Sequence, residues 1–283
     1  IGLITWGWGL AGARPLQAVG VVGNGTPGSC TAAALTTALS GGGSVSFNCG
    51  PAPHTITLTT EQTITTNTTV DGGGLITLSG GGTTRLFSVQ NGAAFTVRGL
   101  RLVDGQASDN GGAIYAERLS TLTIENCTFQ DNIAANGGAI ATNGWGANDA
   151  GVVVTISDSV LDGNTATAPG IPGGGNGGGA VYLSGGSAAT VNESLFTDNQ
   201  ASNGGAIHLL HSNLLATGTT FTSNSAQNTA GGGGGGAIYM DGTKALSGQV
   251  RLVTSTFRQN TTNQLGGAMF SFPEGSGATL VDQ

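Results

Sequence analysis

Two short motifs alternate along much of this 283-residue chain and constrain its fold more than any other feature. The first is Gly-Gly-Ala followed by an apolar residue, and it begins at Gly111, Gly137, Gly178, Gly204, Gly235 and Gly266. The second is an apolar residue followed three positions later by an asparagine: Asn132, Asn164, Asn199, Asn224 and Asn260. Self-similarity at such a period indicates a repeat architecture, in which each unit buries its apolar side by stacking on its neighbours.

A repeat that holds two or three short strands predicts one coil of a right-handed parallel β-helix, so the predicted fold is an all-β solenoid. Coils stack at the strand spacing of about 4.8 Å, which turns each motif position into a column along the axis. We therefore expect the five motif asparagines to form a structural ladder, with an αL backbone and amides bonded to adjacent coils. The paired glycines are expected to supply positive φ at a corner and to let neighbouring backbones approach.

The segments between and before the motifs predict loops, further coils and one helix. Variable motif spacing predicts loops at 143–151, 170–179 and 227–236, and residues 54–103 are interpreted as coils that lack the Gly-Gly-Ala motif. The run CTAAALTTAL at 30–39 predicts a short N-terminal helix, capped by Ser29, that covers the first coil. Cys30 and Cys49 could close this cap, residues 29–50, as a disulfide, whereas Cys127 is expected to be a buried free thiol.

The chain is interpreted as one β-helix domain at 19–283, preceded by an unusual apolar segment at 1–18. That segment is either the remnant of a signal peptide or a segment that packs on the first coil or on another subunit. The last residues resemble a coil in progress. An exposed strand edge there predicts either a longer chain or head-to-tail docking of a second copy, which would generate an open filament.

The pairing of Gly-Gly-Ala-Ile with Phe-x-x-Asn over about residues 100–270 resembles the repeats of the polymorphic outer membrane proteins and related bacterial surface β-helices. The N-terminal SCTAAALTTAL…VSFNCG is similar to the entry segment of predicted secreted β-helix proteins, although the Arg-Glu pair of that segment is missing. This resemblance implies a β-helix that a bacterium secretes to the medium or the cell surface, often as an adhesin.

Composition excludes several classes of partner. The net charge is −7, and Lys244 is the only lysine, so the sequence predicts binding neither to nucleic acid nor to an anionic membrane surface. No stretch is long enough to predict a membrane span. The cysteine and histidine spacings do not resemble a metal site, and we predict no cofactor.

Acidic residues near the asparagine motif raise the question of catalysis. Glycoside hydrolysis needs two carboxylates about 5–10 Å apart, and Asp131, Asp162 and Asp198 could meet that requirement on adjacent coils. Aspartate beside a turn asparagine is also ordinary turn chemistry, which we favour. A weaker alternative is a calcium-dependent lyase that would use Arg98 or Arg101 with Asp104 and Asp109. We therefore assign no catalytic residue.

The residue that follows each Gly-Gly-Ala-apolar motif is usually aromatic. Strand alternation places this column on the outside of the coils, where we predict a contact stripe: Tyr115, Tyr182, His208, Tyr239 and Phe270, with Ala141 as the exception. Such a stripe can be covered by loops, bury against another chain or stack on sugar rings. Runs such as Thr55, Thr57 and Thr59 also suggest ice binding, although the later repeats show no regular Thr-x-Thr pattern.

The sequence thus favours an extracellular structural or adhesive solenoid whose partners are a second copy of itself or cell-surface glycans. The alternative is a polysaccharide-binding module or a polysaccharide-degrading enzyme of the β-helix type.

Overall fold

A computed structural model of the chain describes residues 19–144, 150–170, 175–231, 233–242, 249–273 and 278–282. Short parallel strands follow one another around successive coils and form three sheets that run along the stack. The parallel β-helix predicted from the motif spacing is therefore confirmed. The apolar segment 1–18, predicted to be a signal remnant or a packing segment, lies outside the described residues, as do parts of all three predicted loops.

Sheet 1 contains sixteen strands. Its members are β1 (Val19–Val22), β2 (Gly43–Phe47), β3 (His54–Thr57), β5 (Thr68–Ser79), β7 (Ala94–Val103), β9 (Thr121–Glu125), β10 (Thr128–Gln130), β13 (Val153–Ser157), β14 (Val160–Asp162), β17 (Ala188–Asn192), β18 (Leu195–Thr197), β21 (Asn213–Thr217), β22 (Thr220–Thr222), β25 (Gln249–Val253), β26 (Thr256–Arg258) and β29 (Ala278–Asp282).

Sheets 2 and 3 form the other sides of the coil. Sheet 2 consists of five two-residue strands: β11 (Ile133–Ala134), β15 (Thr165–Ala166), β19 (Gln200–Ala201), β23 (Ser225–Ala226) and β27 (Thr261–Thr262). Sheet 3 has eight strands: β4 (Gln62–Ile64), β6 (Phe87–Val89), β8 (Ile114–Ala116), β12 (Ile140–Thr142), β16 (Val181–Ser184), β20 (Ile207–Leu210), β24 (Ile238–Gly242) and β28 (Met269–Pro273).

Sheet 1 bends along a line parallel to the axis. The long strand β7 pairs with β9 through its first half and with β10 through its second half, and in later coils two separate strands replace it. The bend residues Asn126, Asp158, Glu193 and Thr254 all have φ between 46° and 52°. We call the part of sheet 1 before this bend face 1 and the part after it face 2.

Alternate residues of the strands point into one continuous apolar core. In face 2, Phe129, Leu161, Phe196 and Phe221 are fully buried and paired in register. The rings of Phe196 and Phe221 stack with centroids 5.0 Å apart, and Phe221 stacks in the same way on Phe257 at 4.9 Å. Full burial of one such side chain contributes roughly 1.5–3 kcal/mol, so these columns hold successive coils together.

The N-terminal cap contains a helix, α1 (Ala32–Leu39), with Leu35 and Leu39 buried against the first coils. The prediction that Ser29 caps this helix is wrong. Thr31 is the N-cap, and its hydroxyl accepts a hydrogen bond from the Ala34 N–H at 3.1 Å. Ser29 instead lies in a preceding 3₁₀ turn, Pro27–Ser29, where its hydroxyl donates to the Thr26 carbonyl.

The three cysteines divide into one pair and one free thiol. Cys30 and Cys49 form a disulfide with their Cα atoms 5.6 Å apart, which links the start of the helix to the chain that follows β2. Cys127 is a buried free thiol, as predicted, and burial raises its pKa to about 11. No helix within the described part of the chain is long and apolar enough to cross a membrane.

The motif asparagines form a buried ladder at the corner between face 2 and sheet 2. Each amide nitrogen donates to a backbone carbonyl of the preceding coil, and in the first four rungs it also donates to the side-chain oxygen of the asparagine in the next coil, at 2.9–3.0 Å. The rungs are Asn132, Asn164, Asn199, Asn224 and Asn260. The prediction that these asparagines adopt an αL backbone is wrong. The residue before each asparagine is the αL residue, for example Asp131 and Ser223.

The two glycines of each Gly-Gly-Ala motif have different roles. The first glycine has φ between 57° and 72° in every copy, a region that L side chains rarely occupy. The second packs against the backbone of the next coil. A Cβ on Gly205, for example, would collide with the Gly236 carbonyl oxygen and would lie 2.5 Å from the Ser225 nitrogen.

Candidate functional site: the outer columns of the solenoid

The aromatic column lies on the outward side of sheet 3. Strand pairing places Tyr115, Ala141, Tyr182, His208, Tyr239 and Phe270 in register. His208 lies between two tyrosines in edge-to-face contact, with ring centroids 5.2 Å from Tyr182 and 5.0 Å from Tyr239. Tyr239 stacks on Phe270 at 5.7 Å. The alternation of residues along the strands therefore predicts the direction of these side chains correctly.

The prediction that this column forms an exposed contact stripe is wrong. His208 and Tyr239 have no exposed surface, and 8% of the surface of Tyr182 is exposed, while Tyr115 and Phe270 are partly exposed.

Glycine-rich residues cover the centre of the column. The Tyr182 hydroxyl donates to the Gly175 carbonyl at 3.3 Å, and a Cβ on Gly177 would lie 2.9 Å from the His208 Nδ1. Of the alternatives raised by the sequence, cover by loops is the observed arrangement. We call residues 175–177 the glycine cover.

A second set of asparagine contacts attaches the glycine cover to the coils. The Asn136 side-chain oxygen accepts from the Gly177 N–H at 3.0 Å, and the Asn203 amide donates to the Asn176 carbonyl at 2.9 Å. The Asn203 oxygen also accepts from the Gly234 N–H at 3.1 Å. Sequence analysis missed these contacts, although asparagine directly before Gly-Gly at Asn110, Asn136 and Asn203 is a visible signal.

Burial dominates the electrostatics beneath the cover. It lowers the pKa of His208 to about 3, an effect that the nearby Asn176 backbone opposes in part. It also raises the pKa of Tyr182 to about 12 and raises that of Tyr239, and the negative charge of Asp241 adds to both shifts. Neither ring nitrogen of His208 has a hydrogen-bond partner in good geometry among the described residues. His208 is therefore held in its neutral form.

An arginine cluster closes the N-terminal end of the same column. The Arg85 guanidinium lies 5.1 Å from the centre of the Tyr115 ring and donates to the Gly111 carbonyl at 2.9 Å. It also pairs with Glu61 at 2.6 Å and with Asp109. Asp109, considered above as a calcium ligand, is thus an ion-pair partner of Arg85 that helps to join three coils.

The three candidate catalytic carboxylates lie close together near the end of face 2. Asp162 ends β14 and is partly buried, whereas Asp131 and Asp198 are exposed αL residues at the adjoining corner. Burial raises the pKa of the Asp162 carboxyl, the charges of Asp198 and Asp131 raise it further, and Arg101 opposes them. Within the described ranges, no group of three His, Cys, Asp or Glu side chains is arranged to hold a metal ion.

Face 1 carries a column of hydroxyl groups that sequence analysis missed. The strand register places one outward hydroxyl in each of six consecutive coils, namely Ser44, Thr69, Thr96, Thr123, Thr155 and Thr190. All six are at least partly exposed. The parallel column two residues earlier in the strands is also small and uncharged, and consists of Ala94, Thr121, Val153 and Ala188. We call these two columns the hydroxyl face.

The hydroxyl face has a charged border on one side only. The outward column two residues later contains Asp71, Arg98 and Glu125, and Arg98 pairs with Glu125 at 3.3 Å. The combination of neutral, β-branched and small residues on a regular parallel sheet gives a flat surface, on which hydroxyls and methyl groups repeat at the coil spacing of about 4.8 Å.

Comparison with known families agrees with this geometry. The family model described as a right-handed β-helix region matches residues 113–282, which is more than half of the chain. Neither the curated proteins nor the solved structures include a match. The matched region contains the asparagine ladder and all six positions of the aromatic column, and it begins in the first complete Gly-Gly-Ala motif. This chain belongs to the right-handed β-helix family.

Proposed function

We propose that this chain is an extracellular structural and adhesive solenoid of a bacterium, and that its hydroxyl face binds neutral polysaccharide at a cell surface. The in-register hydroxyl column is the observation that carries this proposal. Threonine hydroxyls both donate and accept hydrogen bonds, and their methyl groups offer apolar contact beside them. A polymer that repeats hydroxyl groups and C–H faces along its length complements such a surface without any charge.

Two further features support the extracellular, adhesive part of the proposal. The Cys30–Cys49 disulfide is typical of proteins that fold in an oxidising compartment. The resemblance of the repeats to those of the polymorphic outer membrane proteins also favours a place on the bacterial surface. The buried ladder and the stacked sheets give a rigid scaffold, and rigidity lowers the entropy lost when an extended ligand binds.

The double variant Thr123→Lys with Thr155→Lys tests the hydroxyl face. Both side chains point outward from adjacent coils, so lysines there interrupt the flat surface without entering the core. We expect the wild-type protein to sediment with at least one of insoluble cellulose, chitin and peptidoglycan. The double variant should bind that matrix at least tenfold more weakly.

The matched control carries the same charges on the neighbouring face. Thr220 and Thr222 point outward from β22 in face 2, and Thr220→Lys with Thr222→Lys should bind as the wild type does. Equal binding by both double variants, or the absence of wild-type binding to all three matrices, would contradict the proposal. The proposal also includes a second copy of this chain as a partner, and light scattering of the soluble protein would detect the resulting oligomer.

Polysaccharide degradation is the second candidate function, favoured by one observation. Asp162 is a partly buried carboxyl whose pKa is raised, and it is flanked by Asp131 and Asp198. Glycoside hydrolases pair a protonated carboxylic acid with a carboxylate in this way. The arrangement nevertheless includes two exposed αL residues at a corner, which is usual for aspartates in turns.

The triple variant Asp131→Asn, Asp162→Asn and Asp198→Asn separates the two functions. Asparagine also tolerates αL conformations, so the corner should keep its geometry. We expect the triple variant to bind the matrices as the wild type does. Release of reducing sugar by the wild type, its loss in the triple variant and its retention in the control Asp158→Asn would show that the carboxylates are catalytic instead.

A further inference from the structure

Among the described residues, the groups that enclose His208 carry no negative charge. On the neighbouring strands it contacts the rings of Tyr182 and Tyr239, and above it lies the backbone of Gly177. The titratable groups nearest on these strands are the two tyrosines, with Asp241 two residues beyond Tyr239. Only burial and the Asn176 backbone contribute to the shift in the pKa of His208. Protonation in this position would thus create a charge without a carboxylate partner.

The glycine cover is attached in a way that permits it to open locally. Its described residues are all glycine apart from Asn176, so it buries almost no apolar side chain of its own. Polar contacts attach it: the Asn136 and Asn203 side chains, the Tyr182 hydroxyl, the Ser202 hydroxyl, which donates to the Asn176 carbonyl at 3.0 Å, and the Gly137 N–H, which donates to the Gly177 carbonyl at 3.1 Å. Water can replace each of these bonds. Segments with few buried apolar contacts open more readily than the core.

We propose that His208 makes the glycine cover acid-sensitive, so that protonation of its imidazole favours a state in which the cover has left the aromatic column. The Asn132–Asn260 ladder lies at a different corner and is not disturbed. The open state exposes the adjacent rings of Tyr182 and His208, and exposed rings of this kind stack on sugar rings or pack against another protein. This inference is independent of the hydroxyl face.

The direction and size of the effect follow from linkage. The closed state takes up a proton on His208 only near pH 3, whereas a solvated imidazole does so near pH 6.5. The open state therefore binds more protons between these limits, and acid favours opening. Between pH 7.5 and pH 5.0 the ratio of open to closed molecules should rise about thirtyfold.

Hydrogen exchange followed by mass spectrometry tests this proposal. The exchange protection of the Gly137 and Gly177 amides, whose hydrogen bonds join the cover to the coils, should fall about thirtyfold in the wild type from pH 7.5 to pH 5.0 after correction for the intrinsic dependence on pH. Protection of the amides at Asn164, Asn199 and Asn224 should remain unchanged. The variant His208→Gln, which has no titrating ring, should lose this pH dependence. His208→Tyr, which repeats the residue above and below it in the column, provides a second non-titrating variant if the glutamine fails to fold.

His54→Gln is the matched control, because His54 lies on β3 and its ring contacts the Cys30 carbonyl at 3.1 Å, away from the cover. It should retain the wild-type response to acid. Three results would overturn the proposal: unchanged protection of the cover in the wild type at pH 5.0, an equal loss of protection along the asparagine ladder, or the same pH response in His208→Gln and His208→Tyr as in the wild type.

Discussion

Gly205→Ala is expected to lower the free energy of unfolding by about 4 kcal/mol or more, which places it among the most damaging single substitutions in a domain. The new methyl group would collide with the Gly236 carbonyl oxygen and would lie 2.5 Å from the Ser225 nitrogen. Both atoms belong to the backbone of the next coil and cannot rotate away as a flexible side chain could. Relief of the collision therefore requires adjacent coils to separate, which disrupts sheet pairing and core packing together.

Two other glycines supply controls that separate this collision from the usual effects of alanine. Gly28→Ala adds a methyl group in open space, and we expect a change within about 0.5 kcal/mol. Gly73 has φ of 59° and also has open space around its Cβ position, so Gly73→Ala should cost only the αL strain of about 1–2 kcal/mol. Urea denaturation followed by circular dichroism gives all three values. A loss for Gly205→Ala no larger than that for Gly73→Ala would show that the coils are not in such close contact.

The repeat motifs predict the fold well because each motif position performs the same physical task in every coil. An asparagine that must bond to its copy in the next coil, and a glycine that must lie against the next backbone, leave little freedom of residue type. The motif positions therefore remain visible across intervals of 25–41 residues. The sequence predicts the helix almost as well, but the choice between Ser29 and Thr31 as its cap depends on backbone angles that residue types alone do not determine.

The outer surface was harder to predict because alternation along a strand gives only the side on which a residue lies. His208 does point away from the apolar core, yet it is fully buried because a separate segment covers it. Only the contacts of Gly177 and Asn203 with their neighbours reveal that cover. A signal for it was present in the asparagines before Gly-Gly, but the same residues are also consistent with ordinary turns.

The hydroxyl column was missed for a different reason. Its members are separated by 27, 32 and 35 residues from Thr96 to Thr190, because loops of different length intervene. Their alignment becomes visible only when the strand register is known. A Thr-x-Thr run such as Thr55, Thr57 and Thr59 follows the direction of the chain, whereas the hydroxyl column runs across the strands.

Asn199→Ala is expected to lower the free energy of unfolding by about 3–5 kcal/mol, since it removes a central, fully buried rung of the ladder. The Asn199 amide donates to the Leu161 carbonyl at 2.9 Å, and its oxygen accepts from the Asn164 backbone N–H at 3.0 Å. Alanine leaves both of these backbone groups without a partner in a site closed to water. Each such group costs about 1–3 kcal/mol, and the cavity left by the amide adds to the loss.

The position of each asparagine in the structure predicts an order among three variants. Asn192→Ala, at a partly exposed outward position of β17, should change the unfolding free energy by less than about 0.5 kcal/mol. The loss of unfolding free energy in Asn260→Ala should lie between the losses in Asn192→Ala and Asn199→Ala. The Asn260 amide donates to the Phe221 carbonyl at 2.9 Å, but the site is only partly buried. Water can therefore replace part of the hydrogen bonding that the substitution removes. Thermal and urea unfolding of the three variants would reveal this order. If Asn199→Ala were as stable as Asn192→Ala, the amide ladder would not stabilise the stack, and the stacked apolar side chains alone would have to hold the coils together.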